Sequence, residues 1–259
     1  MWFVHNVQGY IGLSITTFFL LFNIKWQLYL ESAVSLWPPI IALSCLFQTA
    51  FRSPGIISTK AHVVKEPSEK QLEILEKYAP NKNCNVITPP HCHYSHALKD
   101  VVIDYDHFCM WANNGIGLLN IRYFIQFVAW TFISSVCTVG TIYVELFKCY
   151  TGDKHSCNWI FYRQNYMFPH ILYSLGFGWF AFSIFKDQYV NLHEGLTSVD
   201  KIKDVKVKRI GSWERFFGDY TIGKFLPTPN SQKLIDRGIK TVESCVEQLK
   251  SHEIHIIRN

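Results

Sequence analysis

The sequence predicts an all-α integral membrane protein with four transmembrane helices and a cytosolic Cys/His-rich loop between helices 2 and 3. Three observations support this fold class: four long segments without charge, an uneven distribution of basic residues, and a cluster of Cys, His and Asp residues between two of these segments. The chain is 49% hydrophobic and 17% charged, against about 25% charged residues in ordinary soluble domains. This composition excludes a disordered chain and a disulfide-rich miniprotein.

Four segments contain no Lys, Arg, Asp or Glu over at least 20 residues each. A helix needs about 20 mainly apolar residues to cross the hydrocarbon core of a bilayer. Buried helices of a soluble protein would normally keep a charged edge. A cleaved signal peptide would begin with a basic region, which the first segment lacks. We therefore predict membrane-spanning helices near residues 6–23, 33–51, 123–144 and 166–185.

The basic residues predict the orientation of these helices. Of the 25 Lys and Arg residues, eight lie in 52–122 and 13 lie in the tail that begins at Lys186. Cytosolic segments carry an excess of Lys and Arg. We therefore expect both termini and the 52–122 loop to face the cytosol and the 145–165 loop to face a lumen. Cys149 and Cys157 then lie on the lumenal side, where they could form a disulfide.

The chain divides into four parts on this basis. Residues 1–51 hold helices 1 and 2, residues 52–122 form the cytosolic loop domain, residues 123–185 hold helices 3 and 4 with the lumenal loop, and residues 186–259 form a cytosolic tail. In the loop domain, a helix start signal precedes a short predicted helix at 69–78. In the tail, the apolar spacing of 232–250 predicts an amphipathic helix that packs on the protein or the membrane surface.

A candidate nucleophile set precedes the third predicted helix. Asp106, His107 and Cys109 fall within four residues. A free thiol has a pKa of about 8.5 and is mostly unreactive at neutral pH. A neighbouring His can take its proton, and an Asp can fix the tautomer of the imidazole. From the residues alone, the set indicates either a reactive cysteine or a chance combination.

The surrounding segment resembles the cysteine-rich core of the DHHC-type protein S-acyltransferases, or palmitoyltransferases. That family has Asp-His-His-Cys, a Trp two residues later, an Asn-containing turn and Asn-x3-Phe before its third membrane helix. The corresponding residues here are Asp106-His107-Phe108-Cys109, Trp111, Asn113-Asn114, and Asn120 with Phe124. Further segments resemble other family elements in the same order along the chain, namely 53–55, 197–200, 213–218 and 225–227.

The resemblance implies a protein S-acyltransferase. In the family, the Cys attacks the thioester of palmitoyl-CoA or another long-chain acyl-CoA, the His acts as base and the Asp orients the His. A protein thiol then collects the acyl group. These roles map onto Cys109, His107 and Asp106. The implied partners are membrane lipids and cytosolic or membrane-associated proteins with a Cys near the bilayer, without nucleic acid, and the implied location is the endoplasmic reticulum or the Golgi.

Other site residues are less specified by the sequence. Aromatic residues of the spans are candidates for lining an acyl cavity: Tyr10, Trp26, Phe127, Trp130, Phe177, Trp179 and Phe180. Basic residues on the cytosolic side are candidates for contacting the phosphates of coenzyme A: Arg52, Lys99, Arg122 and Arg215.

Two ligands that the family uses for structural zinc are replaced. The family loop binds two zinc ions, but here the second His of the motif is Phe108 and the Cys expected six residues after Cys109 is Gly115. In the family both belong to the same zinc site, so we expect that site to be lost and the loop to be held by packing. A residual zinc site stays open, with the weak candidate ligands Cys84, His91, Cys92 and His96, and His93 between them.

Two other functions also stay open. The degenerate zinc ligands are compatible with a catalytically inactive relative, a pseudoenzyme or membrane adaptor that uses the same scaffold. In that case Cys109 would be dispensable. A small channel or transporter fits the number of helices alone. Such proteins usually carry charges inside the membrane along their pathway, and the four predicted spans carry none.

Overall fold

The chain is mostly helical. The computed structural model describes residues 7–29, 33–57, 92–203 and 240. Its helices are α1 (Val7–Tyr29), α2 (Ala33–Phe51), α3 (Ile121–Tyr150), α4 (Lys154–Glu194) and the short α5 (Ser198–Ile202). Helices α3 and α4 are longer than the predicted spans, because the helical backbone continues through the charged residues that border each charge-free segment.

The long helices have the character of membrane spans. Three stretches are long and apolar enough to cross a bilayer: Val7–Leu28, Ile121–Tyr150 and Asn165–Glu194. Ser35–Phe51 of α2 is a shorter apolar helix. Large apolar side chains such as Phe18, Trp37 and Trp179 are more than 60% exposed on these helices. Many large apolar side chains are exposed on helices of membrane-spanning length, as expected for surfaces that face lipid, and the chain is a multi-pass membrane protein.

Helix α3 lies at the centre of the bundle and packs against both α4 and α2. Gly178 of α4 allows a close approach to α3, since a Cβ at this position would lie 2.9 Å from Cβ of Ser135. The contact with α1 is partly polar: the hydroxyl of Thr138 donates to Oδ1 of Asn23 at 3.1 Å, and Nε2 of Gln27 lies 3.4 Å from the same hydroxyl. Small residues and hydrogen bonds are the usual contacts between helices in a bilayer.

The segment between α2 and α3 contains two small antiparallel sheets, which the expectation of an all-α protein omitted. One sheet has the order β1-β3-β2, formed by Ile56–Ile57, Asp100–Ile103 and Cys92–Ser95. The other is a hairpin of β4 (His107–Cys109) and β5 (Asn114–Ile116). Strands of two to four residues are too short to carry a readable alternation of apolar and polar residues.

Two asparagines of the hairpin region hold the carboxyl end of α2. Nδ2 of Asn114 donates to the carbonyls of Thr49 (3.0 Å), Ala50 (3.1 Å) and Arg52 (2.7 Å). Nδ2 of Asn120 donates to Gly115 O at 2.8 Å and to Thr49 O at 3.3 Å. The last carbonyls of a helix lack partners within the helix. The hairpin therefore supplies the cap of α2 and is fixed to the bundle by it.

Helix α1 closes on the other side of the same hairpin. A Cβ at Gly12 would lie 2.6 Å from the carbonyl oxygen of Met110, and a Cβ at Gly9 would overlap the side chain of Asn113. Real Cβ atoms do not approach neighbours this closely. The two glycines of α1 therefore allow its backbone to press against the turn between β4 and β5.

The opposite end of the bundle is joined covalently. Cys149 at the end of α3 and Cys157 in the first turn of α4 form a disulfide, as the sequence indicated they could. Asp153 caps α4, because its carboxylate accepts a hydrogen bond from the backbone N–H of His155 at 3.1 Å. The short turn between α3 and α4 is thus closed by a disulfide.

Several sequence predictions lie outside the described residues. These are the short helix at 69–78, the aromatic segments 213–218 and 225–227, and the amphipathic helix at 232–250, of which the structure describes residue 240 alone. They stay predictions.

Replacing Gly12 with Ala tests the contact between α1 and the hairpin. The added methyl would meet the carbonyl of Met110, so α1 or the hairpin must move. We expect a loss of about 1–3 kcal/mol in the free energy of unfolding, measured by thermal unfolding in detergent. Gly140→Ala in α3 is the control, because its Cβ would meet nothing within 4 Å. Equal melting temperatures for the two variants would contradict the contact.

Candidate active site

Strand β4 places the predicted base and nucleophile side by side. Successive side chains of a strand point to opposite faces, so His107 and Cys109 share one face and Phe108 takes the other. Cys109 is 4% exposed and pairs with Asn114 of β5. Since Asn114 also caps α2, strand β4 is held at a defined position relative to the helices.

Asp106, between β3 and β4, is fully buried. Its Oδ2 accepts hydrogen bonds from Nδ1 of His107 and from Nε2 of Gln188 in α4, both at 2.7 Å. Its Oδ1 accepts from the backbone N–H of Ser198, the first residue of α5, at 2.6 Å. A carboxylate removed from water needs such donors, because its unpaired charge would be costly.

The charges of this pair follow from these contacts. Burial alone would raise the pKa of Asp106, but the hydrogen bond and charge of His107, with the Ser198 N–H and the Gln188 amide, hold it below its usual value. Burial would lower the pKa of His107, but its hydrogen bonds to Asp106 and Cys109 raise it to about 10. At neutral pH Asp106 is therefore a carboxylate and His107 an imidazolium.

The second nitrogen of His107 is free of Asp106. Because Asp106 binds Nδ1, Nε2 is the ring nitrogen left for the neighbouring Cys109, whose interaction with the ring contributes to the raised pKa of His107. The ring is also held by Phe124 of α3, whose centroid lies 5.0 Å away in an edge-to-face contact. A cationic imidazole next to a sulfur attracts the negative charge of the thiolate, which is the nucleophilic form of cysteine.

A narrow apolar cavity lies beside this hairpin, between α1, α3 and α4. Trp111, two residues after Cys109, lines it together with Thr16 and Phe124. Three of the aromatic residues predicted to line an acyl cavity lie there as well: Phe127, Phe177 and Phe180. Among the described residues, the other four candidates do not line it: Tyr10, Trp26, Trp130 and Trp179.

The basic residues proposed for phosphate contact have different environments. Arg52 at the end of α2 is exposed and lies 5.0 Å from the ring centre of Tyr123. Lys99 is exposed in the turn between β2 and β3. Arg122 is only 4% exposed, which makes it a poor candidate for a soluble phosphate. Arg215 lies outside the described residues.

The two replaced zinc ligands face each other in the structure. Phe108 and Gly115 are direct partners across the β4–β5 hairpin. A Cβ at Gly115 would lie 2.6 Å from Cδ1 of Leu98 and 3.5 Å from Cε2 of Tyr105. Apolar side chains therefore occupy the space that a ligand at position 115 would need. The residues present at this position do not fit a zinc ion.

The remaining metal candidates are not brought together. Cys84 and His91 lie outside the described residues. Cys92 is buried at the start of β2, and His96 is exposed directly after the end of this strand. Within the part of the chain that the structure describes, no group of three or more His, Cys, Asp or Glu side chains could hold a metal ion.

His93 has other partners. Nζ of Lys203 donates to its Nδ1 at 3.1 Å, and its Nε2 lies 2.7 Å from Oδ1 of Asp200. An ammonium group can only donate, so Nδ1 accepts and the Nε2–H is donated to Asp200. Both ring nitrogens are thus engaged, and they join β2 to the end of α5.

The sequence missed two groups that complete the site. The segment 197–200 resembles a family element, but its residues alone do not show that the Ser198 N–H binds Asp106. That N–H is positioned by the cap at the start of α5. In this cap, Oγ1 of Thr197 accepts from Asp200 N and the Asp200 carboxylate accepts from Thr197 N. Gln188 belongs to no motif. Its only signal is a polar side chain near the end of an apolar helix.

Comparison of the sequence with known proteins identifies the family of this chain. The DHHC palmitoyltransferase family matches residues 76–205. Palmitoyltransferase ZDHHC7 of Mus musculus is 26% identical over 179 residues, covering 68% of this chain and 56% of the mouse protein. Palmitoyltransferase PFA4 of Yarrowia lipolytica is 28% identical over 153 residues, covering 55% of this chain and 43% of the yeast protein.

A third relative matches the core of the loop region. Probable protein S-acyltransferase 14 of Arabidopsis thaliana is 35% identical over 73 residues, covering 28% of this chain and 24% of the plant protein. The chain spans about half the length, or less, of these curated relatives. The family match includes the β4–β5 hairpin, α3, α4 and α5, which carry the buried Asp106 and its partners. The chain belongs to the DHHC palmitoyltransferase family.

Proposed function

We propose that the protein is a protein S-acyltransferase that moves a palmitoyl or other long-chain acyl group from acyl-coenzyme A to cysteine thiols of proteins. The observation that supports this function is the order of contacts in the site. Asp106 holds Nδ1 of His107 at 2.7 Å, and Cys109 lies on the same face of β4 and interacts with the same ring. Cys109 is the nucleophile and His107 transfers protons. Asp106 orients His107 and keeps its ring protonated.

The reaction proceeds in two transfers. The Cys109 thiolate attacks the carbonyl carbon of the thioester, the bond from that carbon to the coenzyme A sulfur breaks, and His107 gives its proton to the departing sulfur. Neutral His107 then takes the proton of the substrate thiol, whose sulfur attacks the acyl-Cys109 thioester. The bond to Cys109 breaks, which restores the thiolate and the imidazolium.

A membrane position suits this reaction. A lipid chain prefers an apolar environment by about 0.8 kcal/mol per CH₂, or on the order of 10 kcal/mol for sixteen carbons. The narrow apolar cavity beside Trp111 lies between α1, α3 and α4, next to the hairpin that carries Cys109. We propose that the acyl chain on Cys109 extends toward these helices, which would keep it out of water between the two transfers.

Four spans complete the proposed topology, with α2 crossing as the shortest. Both termini and the loop domain face the cytosol, in accordance with the basic residues, so Cys109 meets cytosolic or membrane-associated proteins that carry a Cys near the bilayer. Membrane lipids surround the exposed apolar faces, and nucleic acid has no part. The endoplasmic reticulum or the Golgi is the proposed location, with the Cys149–Cys157 disulfide on the lumenal side.

The loop is proposed to lack the zinc site to which positions 108 and 115 contribute in the family. Leu98 and Tyr105 pack over Gly115 in its place. Tyr105 is itself fixed, because its hydroxyl accepts a hydrogen bond from Ser95 at 3.1 Å. Packing of apolar groups can stabilise the hairpin without a metal, and the chemistry of Cys109 requires none.

Removing the nucleophile or the base tests the proposed reaction. Purified protein incubated with palmitoyl-CoA should form a hydroxylamine-sensitive acyl adduct, and Cys109→Ala should abolish it. His107→Ala should slow adduct formation by about 100- to 10,000-fold, the usual contribution of a general acid–base group. The adduct is measured by mass spectrometry of the intact protein.

Cys137→Ala is the control for this experiment, because Cys137 is a free cysteine of α3 outside the hairpin. It should retain the adduct. Well-folded wild-type protein that forms no adduct, together with full cellular function of Cys109→Ala, would instead indicate an inactive adaptor.

The charge of His107 also predicts a pH dependence of stability. Its pKa is raised from 6.5 to about 10, so the stabilisation from the protonated ring is complete below about pH 6.5 and is lost as the pH rises through about 10. The melting temperature of the wild type should therefore exceed that of His107→Gln at low pH, with a gap that narrows toward about pH 10. A gap that stays constant over this range would contradict the charge assignment.

Restoring a cysteine at position 115 tests the packing that replaces zinc. Gly115→Cys should lower the melting temperature without adding bound zinc, because its Cβ would lie 2.6 Å from Leu98. Combining it with Leu98→Ala should recover part of the loss, since the smaller side chain leaves room. Metal content is measured by elemental analysis. An added zinc ion in Gly115→Cys, with a raised melting temperature, would refute the proposed packing.

A further inference from the structure

We propose that Gln188 is a positioning residue that keeps Asp106 ionised and thereby keeps His107 in the orientation and charge state that Cys109 requires. This inference rests on the proposed S-acyltransferase function and adds a side chain of α4 to its site. Gln188 lies 82 residues from Asp106 in the chain, so only the packing of α4 against the hairpin brings the two together.

The geometry determines how the amide is oriented. Nε2 of Gln188 lies 2.7 Å from Oδ2 of Asp106, the oxygen that also accepts from Nδ1 of His107. An ionised carboxylate can only accept hydrogen bonds, so the NH₂ end of the amide must face it. Oε1 of Gln188 is then directed elsewhere and is buried without a hydrogen-bond partner among the described residues.

That unpartnered oxygen argues against a role in packing alone. Gln188 is only 4% exposed, and a buried polar atom without a partner costs stability. An apolar side chain of the same length would fill the space without this cost. The amide is therefore explained by what its other end does, which is to donate to a carboxylate that has no contact with water.

The surroundings of Asp106 make this donor matter. Among the described residues, the titratable groups that act on its carboxylate are His107 and, more weakly, Tyr105, while Cys109 acts on the far side of His107. Helices α4 and α5 contribute the two neutral donors, the Gln188 amide and the Ser198 N–H. Without the amide, Asp106 holds a proton more readily and holds the imidazolium less well.

Gln188→Met tests this role, because Met has nearly the same length and shape but no donor. The readout is alkylation of Cys109 by iodoacetamide as a function of pH, followed by peptide mass spectrometry on the full chain in detergent. The alkylation profile should move to higher pH by about one unit, which makes alkylation about tenfold slower at any pH on the acidic limb of the profile. Ser183→Ala is the control, because the Ser183 hydroxyl donates to Trp179 O of the same helix and makes no contact with Asp106 among the described residues, and its profile should match the wild type.

A second variant keeps the test decisive. Gln188→Asn retains the amide but is one CH₂ shorter and cannot span the 2.7 Å contact, so it should show the same shift if Gln188→Met fails to fold. An unchanged profile in a folded variant would overturn the inference, whether or not the protein forms an acyl adduct. A shifted profile in a protein that forms no adduct would support the role of Gln188 and refute the acyltransferase function, because iodoacetamide needs no acyl-CoA.

Discussion

One buried carboxylate organises the candidate active site of this protein. Asp106 has no contact with solvent, and it binds donors from β4, from α4 and from the start of α5. An ionised group in such a position is tolerated only while its donors stay in place. The same contacts therefore fix the docking of the hairpin against α4, orient His107 and maintain its positive charge beside Cys109.

The helices supply the frame that this carboxylate needs. Asn114 and Asn120 close the end of α2, and Gly12 lets α1 approach the turn of the hairpin. The αL conformation of Gly195, with φ of 68°, reverses the chain after α4 so that the start of α5 returns to Asp106. The hairpin is thus restrained by four helices, and these restraints fix the position of Cys109 relative to the bundle.

Apolar packing and charged contacts share the task of holding the loop. Around Gly115, Leu98 and Tyr105 fill the space where a metal ligand would lie. Around His93, Asp200 and Lys203 form a second polar connection between the loop and α5. A metal site would fix these strands through a few strong bonds, whereas packing distributes the same restraint over many weak contacts.

The sequence by itself determined where the long apolar helices lie, and it predicted Asp106, His107 and Cys109 as the reactive residues. Charge-free segments must be long to span a bilayer, so their pattern was readable, and Asp106, His107 and Cys109 are neighbours in the chain. Only the tertiary structure decided the small sheets, the contact of Phe108 with Gly115 and the donors of Asp106. Strands of a few residues carry too little periodicity, and Gln188 reaches Asp106 only because α4 packs against the hairpin. Contacts between distant segments depend on that packing, which no local pattern encodes.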